Sequence, residues 1–162
     1  MSVSRTSRRI IATLVASGTL VGAAALPAVA AGPHRHAPRS AVVIGKVQYN
    51  SPGRDDRSNR SLNGEWVEVK NTGHRAVQLR GFTLTASDGT RYRFHGLLLQ
   101  GHSAVKVHSG VGRDSRHDVY QDRHHYVWGN NHDTATLRND RGRILDTASW
   151  NLGGHHLRHH HR

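Results

Sequence analysis

Glu65-Trp66-Val67-Glu68-Val69-Lys70-Asn71-Thr72-Gly73 decides the fold of this chain. Val67 and Val69 share one side of the segment, and Glu68 and Lys70 take the other. That period of two is what a half-buried strand requires. Asn71-Thr72-Gly73 then supplies turn chemistry: a short polar side chain that bonds nearby backbone, and a glycine free to take positive φ. The alternation repeats in both directions. Upstream, Val43, Val47 and Tyr49 share one face of a first strand. Downstream, Val77 and Leu79 alternate with Gln78 and Arg80, and Phe82 and Leu84 alternate with Thr83 and Thr85. Asp88-Gly89 predicts a two-residue hairpin turn in which both residues take positive φ. Tyr92 and Phe94 answer across it, with Arg91 and Arg93 outward. Leu97-Leu98-Leu99, closed by Gly101, reads as a crossover loop that buries leucine. Val105 and Val107 form the next strand, with Lys106 and His108 outward. Val127-Trp128, Thr134 to Arg138 and Arg143 to Ser149 supply the last three strands, and Asn139-Asp140-Arg141-Gly142 joins the final pair. No helix is predicted after the N-terminal segment. Eight or nine short strands with turn residues between them predict an all-β, two-sheet β-sandwich over 41–150. Long loops at 50–63 and 109–125 interrupt it.

The ends have a different character. Arg5, Arg8 and Arg9 precede an uncharged run from Ile10 to Leu26, which ends in Pro27-Ala28-Val29-Ala30. A charged start, an apolar run and small residues at Ala28 and Ala30 predict a secretory signal peptide over 1–30, cleaved after Ala30. The run is short for a hydrocarbon core of ~30 Å, so no membrane span is expected in the mature chain. Ser7-Arg8-Arg9 matches the twin-arginine route only weakly, because Ile10-Ile11-Ala12 follows it. Residues 31–40 are polar and proline-containing and read as a flexible leader. Residues 151–162 read as a disordered His-rich tail. The expected address is secreted, outside the cell. With no cysteine, packing alone must hold the domain there.

Formal net charge is +12, and removing the three signal-peptide arginines leaves +9. Of the 23 basic residues, only Lys46, Lys70 and Lys106 are lysines. Such a balance suits a polyanion, either nucleic acid or an acidic cell-wall polymer. It also arises from arginine-rich codon usage with no ligand at all. Fifteen histidines add further positive charge on mild acidification.

Several segments together resemble the lamin-tail domain, an immunoglobulin-like sandwich known from nuclear lamins and common in exported bacterial proteins. Glu65 to Gly73 is similar to the family's strand and turn of acidic, aromatic, Val-Glu-hydrophobic, Asn, small and Gly residues. Val77-x-Leu79-x-Gly81-Phe82-Thr83-Leu84 resembles the following pair, and Tyr92-x-Phe94 and Gly101 to Val107 the middle strands. Val127-Trp128, Asn130-Asn131-x-Asp133, Leu137, Gly142 and Asp146 are similar to the end of the domain, where the family shows Trp-Asn-Asn-x-Gly-Asp. Two departures stand out: Gly129 separates Trp128 from Asn130, and His132 takes the place of glycine before Asp133. The resemblance implies a binding or structural module, and no enzyme. The lamin rod and nuclear role do not carry over.

Asn130, Asn131, Asp133, Asp140 and Asp146 offer hard oxygens, but their spacing fits no calcium loop; capping of turns is the expectation. Glu65 and Glu68, the two glutamates, point to opposite faces of a strand, and Glu68 is expected to pair with a neighbouring arginine. His124, His125 and His132 lie near Asp122 and Asp133 but match no zinc-hydrolase spacing, so solvated loop histidines are expected. Ser103, Ser109 and Ser149 lack a nucleophile elbow, and no phosphate-binding glycine motif exists. The metal candidates are His155, His156, His159, His160 and His161, whose imidazoles suit zinc, nickel or copper; extracytoplasmic metal binding by this tract is the alternative function, beside adventitious binding with no resident cofactor. The outward basic residues Arg80, Arg91, Arg93, Lys106, His108 and Arg138 are expected to engage a polyanion without sequence-specific readout of nucleic acid, provided one sheet carries them. Trp66, also outward, is able to stack a base or a sugar, or to cover an edge. Trp128 and Trp150 belong in the core or at its rim. A monomer is expected.

Overall fold

The computed structural model describes residues 40–152 in full and 154–161 by their backbone. The expected signal peptide, its cleavage point at Ala30 and the leader up to residue 39 lie outside the described residues. In chain order the elements are β1 (Val42–Gln48), α1 (Asn59–Gly64), β2 (Trp66–Asn71), β3 (Val77–Gln78), β4 (Thr83–Thr85), β5 (Arg91–Arg93), β6 (Leu98–Leu99), β7 (Ala104–His108), β8 (Asp118–Tyr120), β9 (His132–Arg138), β10 (Ile144–Asn151) and β11 (Gly154–His161).

Two main sheets form, ordered β1-β2-β7-β8 and β11-β10-β9-β4-β5, with a small third sheet of β3 and β6. All pairings are antiparallel except β7 with β8, which is parallel. Between the main sheets lies one apolar core. Val67, Val69, Val105 and Val107 from the first sheet meet Leu84, Phe94, Ala135, Leu137 and Ala148 from around the second, all buried. This is the immunoglobulin-like two-sheet sandwich that the alternation predicts.

The two sheets are also tied at β1 and β10. Asp146 on β10 is fully buried, and its Oδ2 accepts a hydrogen bond from the Ile44 amide at 2.8 Å. Tyr49, just past β1, stacks on Trp150 at 5.0 Å, and Trp128 meets Trp150 edge-on at 5.9 Å.

The structure corrects several expectations. In β1, Val42 and Ile44 face the core rather than Val43. A bulge explains this: Ile44 pairs with Val69, but Val47 pairs with Val67, so one extra residue enters β1. An extra residue reverses the inside-outside parity, which is why Val47 and Tyr49 still pack on the core. Gly45 sits in the bulge, and the Glu68 carboxylate lies where a β-carbon on Gly45 would stand. Val127-Trp128 is buried but forms no strand. Of the three leucines, Leu99 is buried in β6 while Leu98 is 51% exposed. Asp88-Gly89 belongs to a three-residue connection, because Ala86 bonds Thr90 across it and Gly89 alone has positive φ (+90°). Asp88 instead accepts from the Thr90 amide at 2.7 Å.

Two elements were not expected. The loop at 50–63 contains α1, whose N-cap Ser58 accepts from the Ser61 amide at 3.2 Å. The loop at 109–125 contains β8. A third difference lies at the C-terminus. The tail expected to be disordered has the backbone of β11, which runs antiparallel to β10 from Asn151↔Gly154 to Asp146↔His161.

Candidate functional site

Register decides which outward side chains share a surface, since directly paired residues lie on one face of a sheet. On the second sheet, Leu84, Tyr92 and Leu137 point into the core. Their neighbours therefore point out. Arg93, Thr83 and Arg138 form one cross-strand row, and Arg91, Thr85 and Thr136 the next. Thr147 on β10 extends that second row. Thr134 and Ser149 pair beyond it, their hydroxyls 2.9 Å apart. The result is an arginine-and-hydroxyl surface.

Arg91 and Arg93 are exposed, and Arg138 is half-buried with its Nη1 donating to the Gly142 carbonyl at 3.1 Å. None of the three forms a salt bridge with a described carboxylate. Guanidinium donors thus remain available on this face.

Lys106 and His108 are elsewhere. They lie on β7, on the outer face of the first sheet, so the six basic residues do not form one patch. Arg80 is exposed in the connection after β3, outside both main sheets. Both β7 residues already have local partners. Lys106 Nζ stands 4.4 Å from the centroid of the Trp66 ring. His108 faces Asp118 Oδ1 through Nε2 at 2.9 Å and the Asn63 carbonyl through Nδ1 at 2.8 Å, and stacks on Tyr120. Asp118 and Tyr120 sit in what the sequence reads as a loop. Only the Asp-Val-Tyr alternation around buried Val119 signals a strand there.

Glu68 does not pair with an arginine. It sits opposite Lys106 in the register, and its Oε1 lies 3.4 Å from the Lys46 amide that the β1 bulge leaves unpaired.

Glu65 is the larger surprise. It ends α1, is fully buried, and receives the Val127 amide on Oε2 at 3.1 Å and the Trp128 amide on Oε1 at 2.6 Å. A carboxylate in place of a partner strand is what satisfies that buried segment. Burial pushes the Glu65 carboxyl up to about 7, while the Ser109 hydroxyl and the two amides pull the other way. Its two carboxylate oxygens both engage backbone amides of one segment, so it holds that loop.

Of the carboxylates and amides considered for calcium, Asp133 and Asp146 are occupied with backbone amides. Burial pushes Asp133 up, but bonds from the Ser87 hydroxyl and the Gly129, Ser87 and Thr134 amides outweigh it and hold the carboxyl below its ordinary value. Asn130 Nδ2 donates to Asp55 at 3.0 Å. Asp140 and Asn131 are exposed. His124, His125 and His132 are exposed as well, and no group of three metal-ligating side chains converges among the described residues. The side chains of His155, His156, His159, His160 and His161 lie outside the described residues. No helix among the described residues is long and apolar enough to cross a membrane.

An immunoglobulin-like sandwich with polar and basic outer faces, whose buried acids bond backbone, defines a binding or structural module. A family model described as Lamin Tail Domain matches residues 35–152. The chain belongs to the lamin tail domain family, whose members are non-catalytic immunoglobulin-like domains. No curated protein matches it.

Proposed function

We propose that this protein is a secreted, non-catalytic module that binds a polyanion, a cell-wall polymer or nucleic acid, through the outer face of its second sheet. The observation that carries the reading is the row structure of Arg93-Thr83-Arg138 beside Arg91-Thr85-Thr136, in which no arginine is paired with a described carboxylate. Guanidinium groups bind phosphate or sulfate in a planar, two-pronged way, and hydroxyls beside them donate to the remaining oxygens. The arginines here are assigned to phosphate or sulfate rather than to base edges, so binding is independent of sequence. The charge of +9 left after the three signal-peptide arginines are subtracted from +12 supports the same partner by steering it toward the protein.

Retention on immobilised heparin or duplex DNA tests the proposal. It should fall steeply with salt. Replacing Arg91, Arg93 and Arg138 together with serine should reduce the log–log salt slope by about 2–3, close to 0.9 per lost phosphate contact. Retention no stronger than that of a neutral sandwich of similar size would end this reading.

A further inference from the structure

We infer that the outer face of the first sheet is a second binding site, and that it takes a neutral saccharide chain. The inference rests on the side chains that the register places there, independently of the arginine face.

Three rows cross this face, the one farthest from Trp66 being Val43-Lys70-Ala104. One is Gln48-Trp66-His108-Tyr120. The next is Glu68-Lys106-Asp118, with Lys46 beside Glu68 at the β1 bulge. The first row is mostly aromatic. The second alternates in sign, so its charges cancel locally. Counting Lys70, this face carries three lysines against Glu68 and Asp118, a net of +1 against the +3 of the arginine rows, so it favours a polyanion less. It suits a partner without charge that is rich in groups both donating and accepting hydrogen bonds. Sugar hydroxyls are such groups, and the C–H face of a pyranose packs on an indole.

The two ends of the face differ. Toward β8, His108 is fixed on both ring nitrogens and stacked on Tyr120 at 5.0 Å, and Gly112 lies against the Tyr120 ring. That end is closed. Toward β1, the surface opens into a cleft of about 540 Å³ lined by Lys46, Val47, Gln48, Trp66, Glu68 and Lys106. Its size is that of an ordinary small-ligand site. Lys106 over the indole holds the ring in place. The Glu68 carboxylate, the Gln48 amide and the two ammonium groups supply acceptors and donors around it.

Fluorescence gives a direct readout. Trp66 is half-buried, whereas Trp128 and Trp150 are only 3% and 5% exposed. A ligand-induced change in indole emission therefore reports on Trp66. The full chain is titrated with a β-1,4-linked N-acetylglucosamine tetramer and, separately, with the corresponding glucose tetramer. We expect a saturable emission shift with at least one of them, and an affinity that changes less than about twofold when salt is raised severalfold. By calorimetry, Trp66→Ala should weaken binding by about tenfold or more. Glu68→Gln, which keeps the side-chain volume, should also weaken it. The triple serine replacement of Arg91, Arg93 and Arg138 should leave saccharide binding unchanged, so the two proposals fail separately. Absence of a saturable shift with both tetramers overturns the inference. So does unaltered affinity in both the Trp66 and the Glu68 variants, or a salt dependence as steep as that of heparin retention.

Discussion

Glu65 is the residue whose chemistry departs furthest from its sequence context. Strand parity puts it on the side of Val67 and Val69, and it is fully buried, its carboxyl pushed up from 4.5 to about 7. A carboxyl whose folded value lies above its unfolded value binds its proton more tightly in the folded chain. Its contribution to stability is therefore complete below pH 4.5 and is lost as pH rises through about 7. The size of the effect is roughly 3 kcal/mol. Urea unfolding of the wild type and of Glu65→Gln, compared from pH 4 to 8, should show a difference that changes across this window and is flat above it. Asp133 has the opposite sign. Its depressed carboxyl stabilises the fold at neutral pH, and that support disappears only as acid protonates it. Two acids of similar chemistry thus act in opposite directions, because desolvation prevails at Glu65, whereas at Asp133 the Ser87 hydroxyl and three amides together outweigh it.

At the scale of elements, what was legible follows from periodicity. β2, β7, β9 and β10 hold buried apolar residues two apart, and β4 and β5 do so together with Phe82 and Phe94 beside them. β1 misleads because its bulge shifts the parity midway. α1 escapes because Asn59-Arg60-Ser61-Leu62-Asn63-Gly64 carries one apolar residue, too few to show a helical stripe. So short a helix persists through its contacts. Leu62 is buried, Ser58 caps the first turn, and Ser61 Oγ meets the Tyr126 hydroxyl at 2.7 Å. Ser58→Ala should cost about 1 kcal/mol, measured as a shift of the denaturant midpoint at unchanged m-value. Because Ser61 and Tyr126 join α1 to the segment that Glu65 holds, hydrogen exchange of the Val127 and Trp128 amides should quicken in the same variant.

For the molecule as a whole, the consequential feature is the separation of two outer faces. The second sheet carries arginines without described carboxylate partners, and the first carries alternating charges beside an indole. Listed along the chain, Arg80, Arg91, Arg93, Lys106, His108 and Arg138 form a single class. In space they divide among two sheets and a connection. If the faces act independently, the free-energy effects of Trp66→Ala and of the triple arginine replacement on binding to a mixed saccharide and polyanion matrix should add within about 0.5 kcal/mol.

The sequence by itself determined the sandwich, its core and its family resemblance. These depend on local spacing: a side chain's parity along an extended backbone places it inside or outside without knowledge of any partner. It also determined the net charge. Which outward residues stand together was decided only by tertiary structure, because strand neighbours in a sheet come from distant parts of the chain. The same holds for the side-chain bonds of Glu65, whose partners Val127 and Trp128 lie some sixty positions away.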